Sequence, residues 1–142
     1  MNHIIITLPK SLWNSISNGS KAYELRKVLP FFTPNKTRVY VVLKGTRYVI
    51  GYFTVSQAIA CYDTERLWSQ YGKYLAISKE WFLQYVSSKK RVLYLWQIRN
   101  VYQYNCLVDL EKYFQIKRNP QSFIYTLNEP YVRQTLVYNY SI

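Results

Sequence analysis

The spacing of apolar and polar positions changes several times along the chain, and each change marks an element. His3 to Leu8 (His-Ile-Ile-Ile-Thr-Leu) is a β-branched apolar run ended by Pro9, which predicts a buried first strand. From Ser11 the period lengthens: Leu12, Trp13 and Ile16 recur at helical spacing, Ser11 is the candidate cap and Asn18-Gly19 the stop. Ala22 to Val28 reads as a strand, closed by Pro30 and a turn at Thr33-Pro34-Asn35. Thr37 to Leu43 and Arg47 to Ser56, rich in Val, Tyr, Ile and Thr and separated by Lys44-Gly45-Thr46, predict a hairpin.

Helical spacing returns after the hairpin. Asp63 or Thr64 can cap a helix carrying Leu67, Trp68 and Tyr71, ended by Gly72, and Ser78 can cap a second whose apolar face is Trp81, Phe82, Tyr85 and Val86. Ser87 to Arg91 reads as a basic, solvated connection. Arg91 to Asn100 predicts a long strand that continues with a bend through Val101 to Leu107, and Asp109 to Phe114 a helical turn. Asn119-Pro120-Gln121-Ser122 is a turn signal, followed by the apolar segment Phe123 to Leu127. Beyond Pro130 two periods compete: Tyr131, Gln134 and Tyr138 fit a helix, whereas Leu136, Tyr138 and Tyr140 fit a strand. Strands that cluster with few intervening helices predict an α+β fold, a mixed sheet curling toward a barrel with two or three short flanking helices.

Composition narrows the classes. A chain of 142 residues with 49% hydrophobic positions, four Gly and five Pro is expected to be one globular domain, 1–142. No apolar run is long enough to span a bilayer and the N-terminus does not read as a signal peptide, so a cytoplasmic protein with no membrane partner is expected. Cys61 and Cys106 are isolated and His3 is the only histidine, an inventory that argues against a zinc site and favours two buried, reduced thiols. With a single histidine and scattered glycines, nucleophilic triads and phosphate-cradling glycine loops find no support. A formal charge of +12 concentrates polyanions, so nucleic acid is the first partner to consider. Sixteen Tyr, six Phe and four Trp supply flat faces on which unpaired bases stack. An AT-rich coding sequence also enriches Asn, Lys, Ile and Tyr, and that bias competes with selection for binding as the source of the excess.

One stretch stands out chemically. Between Met1 and Tyr62 eight Lys or Arg residues accompany a single carboxylate, Glu24, within Gly19-Ser20-Lys21-Ala22-Tyr23-Glu24-Leu25-Arg26-Lys27. On a strand, Glu24 and Arg26 share a face, with Lys21 at the approach to it. A carboxylate flanked by cations stays ionised and fixes them in place, or accepts a hydrogen bond from a base edge. A lysine made less basic by burial or neighbouring charge can act as a nucleophile or base. The plain alternative is an exposed strand with a charge pair worth under about 1 kcal/mol.

The pattern Gly-x-Lys-x-x-Glu-x-Arg, here Gly19, Lys21, Glu24 and Arg26, resembles the signature of ASCH domains, which are related to PUA-like barrels. Val49-Ile50-Gly51-Tyr52-Phe53-Thr54-Val55 is similar to the family's segment of a small apolar run, a glycine and a strand, and Asn119-Pro120-Gln121-Ser122-Phe123 to its Pro-Gln-aromatic turn. The resemblance covers most of Met1 to Leu127. It implies a PUA-like β-barrel with a cleft into which the signature strand projects its charges, and RNA or another nucleic acid, or a modified nucleotide, as ligand. Lys21, Arg26 and Lys27 would hold phosphate or base, Glu24 would orient them, and Gln121 with Ser122 would close the cleft; no metal or cofactor is implied. One branch of the family removes the acetyl group of N4-acetylcytidine with a lysine, a threonine and a glutamate. Lys21 matches the lysine, but Glu24 stands where the threonine would be and Arg66 to Lys79 contains no carboxylate. Catalysis by Lys21 and Glu24, as such a hydrolase or as a ribonuclease, is therefore the alternative reading. A third is a phage or mobile-element module that binds a protein partner.

Overall fold

A computed structural model describes residues 1–86 and 92–140. The connection expected at Ser87 to Arg91 lies outside them. The strands are β1 (His3–Leu8), β2 (Tyr23–Arg26), β3 (Arg38–Leu43), β4 (Val49–Cys61), β5 (Leu93–Tyr104), β6 (Ile124–Thr126) and β7 (Gln134–Asn139). The helices are α1 (Lys10–Ser17), α2 (Thr64–Tyr71), α3 (Lys79–Val86) and α4 (Leu110–Phe114).

Among the described residues seven strands form one mixed sheet, six in the order β2-β5-β4-β3-β1-β6 and β7 added on β5. β1 runs parallel to β3, and the other pairings are antiparallel. β2 and β7 share one edge of β5: β2 pairs with Tyr94 to Gln97, and β7 with Asn100 to Tyr104. Register shifts between Phe53 and Val55, and again before Ala58, bend the long β4–β5 pair and let the sheet curl into a half-barrel. The alternation of β1 explains its uninterrupted apolar run. Ile4, Ile6 and Leu8 enter a core with Trp13, Ile16, Phe53, Trp96 and Ile98, while Ile5 faces a second core of Tyr40, Val42, Tyr52, Tyr104 and Phe114. A third cluster joins Leu25 of β2 to Leu67, Leu75 and Phe82, and so fixes α2 and α3 beside the signature strand.

The helix starts follow the sequence with one exception. Asp63 accepts the backbone N–H groups of Glu65 and Arg66, and Ser78 Oγ that of Trp81, as capping chemistry requires. Ser11, by contrast, does not cap α1. Pro9 holds the cap position and its carbonyl receives Leu12 N–H and Trp13 N–H, so Ser11 falls inside the first turn. β4 runs on to Cys61 instead of ending at Ser56, because its far half continues along β5. The two-period segment after Pro130 resolves as a strand, β7, on the free stretch of the β5 edge.

The expectation of two buried cysteines is corrected. Both are free thiols, but Cys106 is exposed and Cys61 half-buried. Each lies at or just past the end of a long strand, where the chain leaves the sheet. Among the described residues no helix is long and apolar enough to cross a membrane.

Candidate functional site

α1 ends in a glycine because the chain must reverse there. Gly19 has φ +92°, and a Cβ at this position would run into the Tyr138 ring of β7. The turn delivers Lys21 into the protein, where its N–H donates to Ser15 O at 2.9 Å. Its carbonyl accepts the Tyr140 hydroxyl at 2.6 Å. The same hydroxyl lies 2.7 Å from Ile16 O. The last described residue thus braces both ends of the signature turn.

Lys21 is 2% exposed and Glu24 4% exposed. Lys21 Nζ donates to Leu75 O at 2.7 Å and lies 3.4 Å from Glu24 Oε1. Glu24 Oε2 accepts Arg26 Nε at 2.7 Å. The exposed charge pair considered from spacing alone is therefore not what forms. The carboxylate is shut between two cations inside the protein.

Burial lowers the Lys21 ammonium from its ordinary value, opposed by the attraction of Glu24. Burial alone would raise Glu24; the charges of Lys21 and Arg26 outweigh it and hold the carboxyl below the ordinary carboxylate value. Arg26 also packs on Trp96, with 5.7 Å from its guanidinium carbon to the ring centroid, and donates through Nη1 to Ser122 O at 3.1 Å.

That last bond spans the seam of the half-barrel, from β2 at one edge of the sheet to the turn preceding β6 at the other. A cleft of about 660 Å³ opens along this seam. The six residues singled out from sequence all line it: Lys21, Glu24, Arg26, Lys27, Gln121 and Ser122. So do residues that sequence reasoning did not assign to a site: Lys44 and Thr7 from the β1–β3 side, and Trp81 and Tyr85 from α3. Lys44 appeared in the sequence only as a hairpin turn residue. Sequence spacing puts Trp81 and Tyr85 with Phe82 on one apolar face, but α3 divides them: Phe82 is 1% exposed in the core, whereas Trp81 is 48% exposed.

Four cations (Lys21, Arg26, Lys27 and Lys44) and one carboxylate (Glu24) line the cleft, so its charge suits an anion. The segment Arg66 to Lys79, where the resemblance would put a partner glutamate, does reach Lys21, but it presents the Leu75 carbonyl rather than a carboxylate.

No protein-family model and no curated protein matches the sequence. Solved structures do match the fold. The ASCH protein of Zymomonas mobilis superposes with a TM-score of 0.73 at 19% identity, covering 87% of this chain and 86% of that one. A tyrosine-to-phenylalanine variant of it gives 0.73, with 87% and 88% covered, and a serine-to-alanine variant 0.74, with 87% of each covered, both at 19% identity. In its curled mixed sheet and short flanking helices, the chain has the fold of an ASCH domain, of the PUA-like α+β class.

Proposed function

We propose that the seam cleft binds single-stranded nucleic acid, RNA or a modified nucleotide. The observation that carries this reading is the buried Lys21–Glu24–Arg26 network at a cleft lined by four cations and one carboxylate. Arg26, Lys27 and Lys44 are the less buried cations and meet phosphate. Glu24 keeps Lys21 and Arg26 ordered, and Gln121 and Ser122, both exposed, offer hydrogen bonds from the opposite rim. A volume of this size accommodates one or two nucleotides and not a duplex. In anisotropy titrations with a labelled single-stranded RNA at low salt, Arg26→Ala and Lys44→Ala are expected to weaken binding about tenfold each, as loss of a charge-assisted contact does. No binding by the unmodified protein, or binding indifferent to both substitutions and to Lys21→Ala, would end this reading.

A second reading rests on Lys21. An amine with lowered basicity beside a cleft has the properties of a nucleophile or base, so hydrolysis of an acylated nucleoside or cleavage of RNA is the enzymatic alternative. Incubation with N4-acetylcytidine and with RNA, with and without chelator, decides it: absence of both deacetylated and cleaved product removes its support.

A further inference from the structure

We infer that α3 supplies the base-reading wall of the cleft, so that its ligand is one unpaired nucleotide of an RNA strand, held with its base against Trp81 and its phosphates on the cleft's cations. This rests on the nucleic-acid reading of the cleft and assigns the place of the base within it.

Trp81 and Tyr85 stand one helical turn apart and stack, with centroids 4.9 Å apart and planes 15° from parallel. Lys27 Nζ lies 4.4 Å from the Tyr85 centroid. These contacts form a layered column of cation, phenol ring and indole, and both of its aromatic members line the cleft. An indole nearly half exposed, placed on a helix whose neighbouring Phe82 is buried in the core, contributes little to the fold. A planar π face set in parallel geometry beside basic groups is the platform on which unpaired bases stack.

The two walls differ in chemistry. Trp81, Tyr85 and Ile77 come from the β2 side of the seam, where α3 is pinned by the Leu25–Phe82 cluster. Lys44, Thr7, Gln121 and Ser122 come from the β1–β6 side. The β2 side therefore offers a flat aromatic surface beside its own cations Arg26 and Lys27, the opposite side a further cation and hydrogen-bonding groups. Exposed Lys10 and Lys79 follow the lining residues Pro9 and Ser78 in the chain. A paired base cannot reach Trp81 without leaving its stack, which excludes duplex.

The test uses the full chain and a fluorescein-labelled heptanucleotide RNA, compared with the same RNA carrying one central abasic ribose and with its duplex. Trp81→Ala is expected to weaken binding of the intact strand between fivefold and a hundredfold, the range for loss of one stacked base, while Trp81→Phe retains most of it. The abasic strand is expected to be insensitive to Trp81→Ala. Intrinsic fluorescence gives an independent reading. Trp13 and Trp96 are buried and the half-buried Trp68 does not line the cleft, so the quenching produced by unlabelled RNA is expected to disappear largely in Trp81→Phe. Equal affinity of intact and abasic strands, or tight duplex binding, overturns the assignment. If Arg26→Ala and Lys44→Ala still impair binding while Trp81→Ala does nothing, the cleft reading stands and the stacking wall falls; if no RNA binds at all, both fall.

Discussion

At the residue scale, the decisive feature is a carboxylate that is both buried and outnumbered. Glu24 touches two cations, Lys21 has only Glu24 as a charge partner within 4 Å among the described residues, and Arg26 is less buried. Removing Glu24 and removing Lys21 are therefore unequal. Glu24→Gln leaves an ammonium buried without a counter-charge and is expected to cost roughly 3 kcal/mol in urea denaturation at pH 7. Lys21→Met leaves Glu24 its short bond to Arg26 and is expected to cost less. The pH dependence follows from the same pair. Glu24 is held below its ordinary value of 4.5, so the unfolded chain takes up its proton first as the pH falls. Its contribution to stability is present above that value, declines below it, and is gone once the pH passes the lower folded value. Denaturation midpoints followed from pH 7 down to pH 3 are expected to fall more steeply for the unmodified protein than for Glu24→Gln. Parallel curves would mean that the carboxylate does not carry the charge network.

At the scale of elements, β7 is what holds the signature turn in place, and its contribution was the least legible from sequence. The earlier strands were readable because their apolar runs and turn residues agree: β1 stops at Pro9, and the β3–β4 hairpin turns at Lys44-Gly45. β7 alternates weakly because most of its side chains are exposed, so neither period prevailed. The partner that makes it a strand, β5, is thirty residues away in the chain, a relation no local pattern contains. Lys21, Glu24 and Arg26 were legible because three charges in a short apolar stretch are costly unless used. Trp81 was not, since an indole at helical spacing carries the same signal whether it packs inward or lines a cleft. β7 bears on the site through Tyr140, whose hydroxyl serves the carbonyls of Ile16 and Lys21. Tyr140→Phe leaves the carbonyls of buried Ile16 and Lys21 without that donor and is expected to cost about 1 to 3 kcal/mol. It is also expected to weaken RNA binding beyond what its effect on folding explains, because Lys21 loses its brace. Unchanged affinity in a folded Tyr140→Phe protein would show that the site does not depend on β7.

At the scale of the whole molecule, the question is whether net charge or the cleft governs binding. The composition that pointed to nucleic acid is blunt: Tyr40, Tyr52 and Tyr104 are consumed by the second core, so that part of the tyrosine content cannot be assigned to stacking. The +12 charge is likewise spread over the sheet, the helices and the connections. The salt dependence of RNA binding separates the two cases, because each phosphate neutralised releases counterions and adds about −0.7 to the slope of log K against log salt for a single strand. A ligand seated in the seam meets the three less buried cations of the cleft, Arg26, Lys27 and Lys44, which gives a slope of about −2. Lys44→Ala is then expected to reduce the slope by about 0.7 and to weaken binding most at low salt. A diffuse field engages many more lysines at once and would produce a much steeper slope that no single cleft substitution alters. A shallow slope sensitive to Lys44 locates recognition in the seam that the curled sheet brings together, whereas a steep, indifferent one would make the protein a general polyanion binder and the cleft incidental to it.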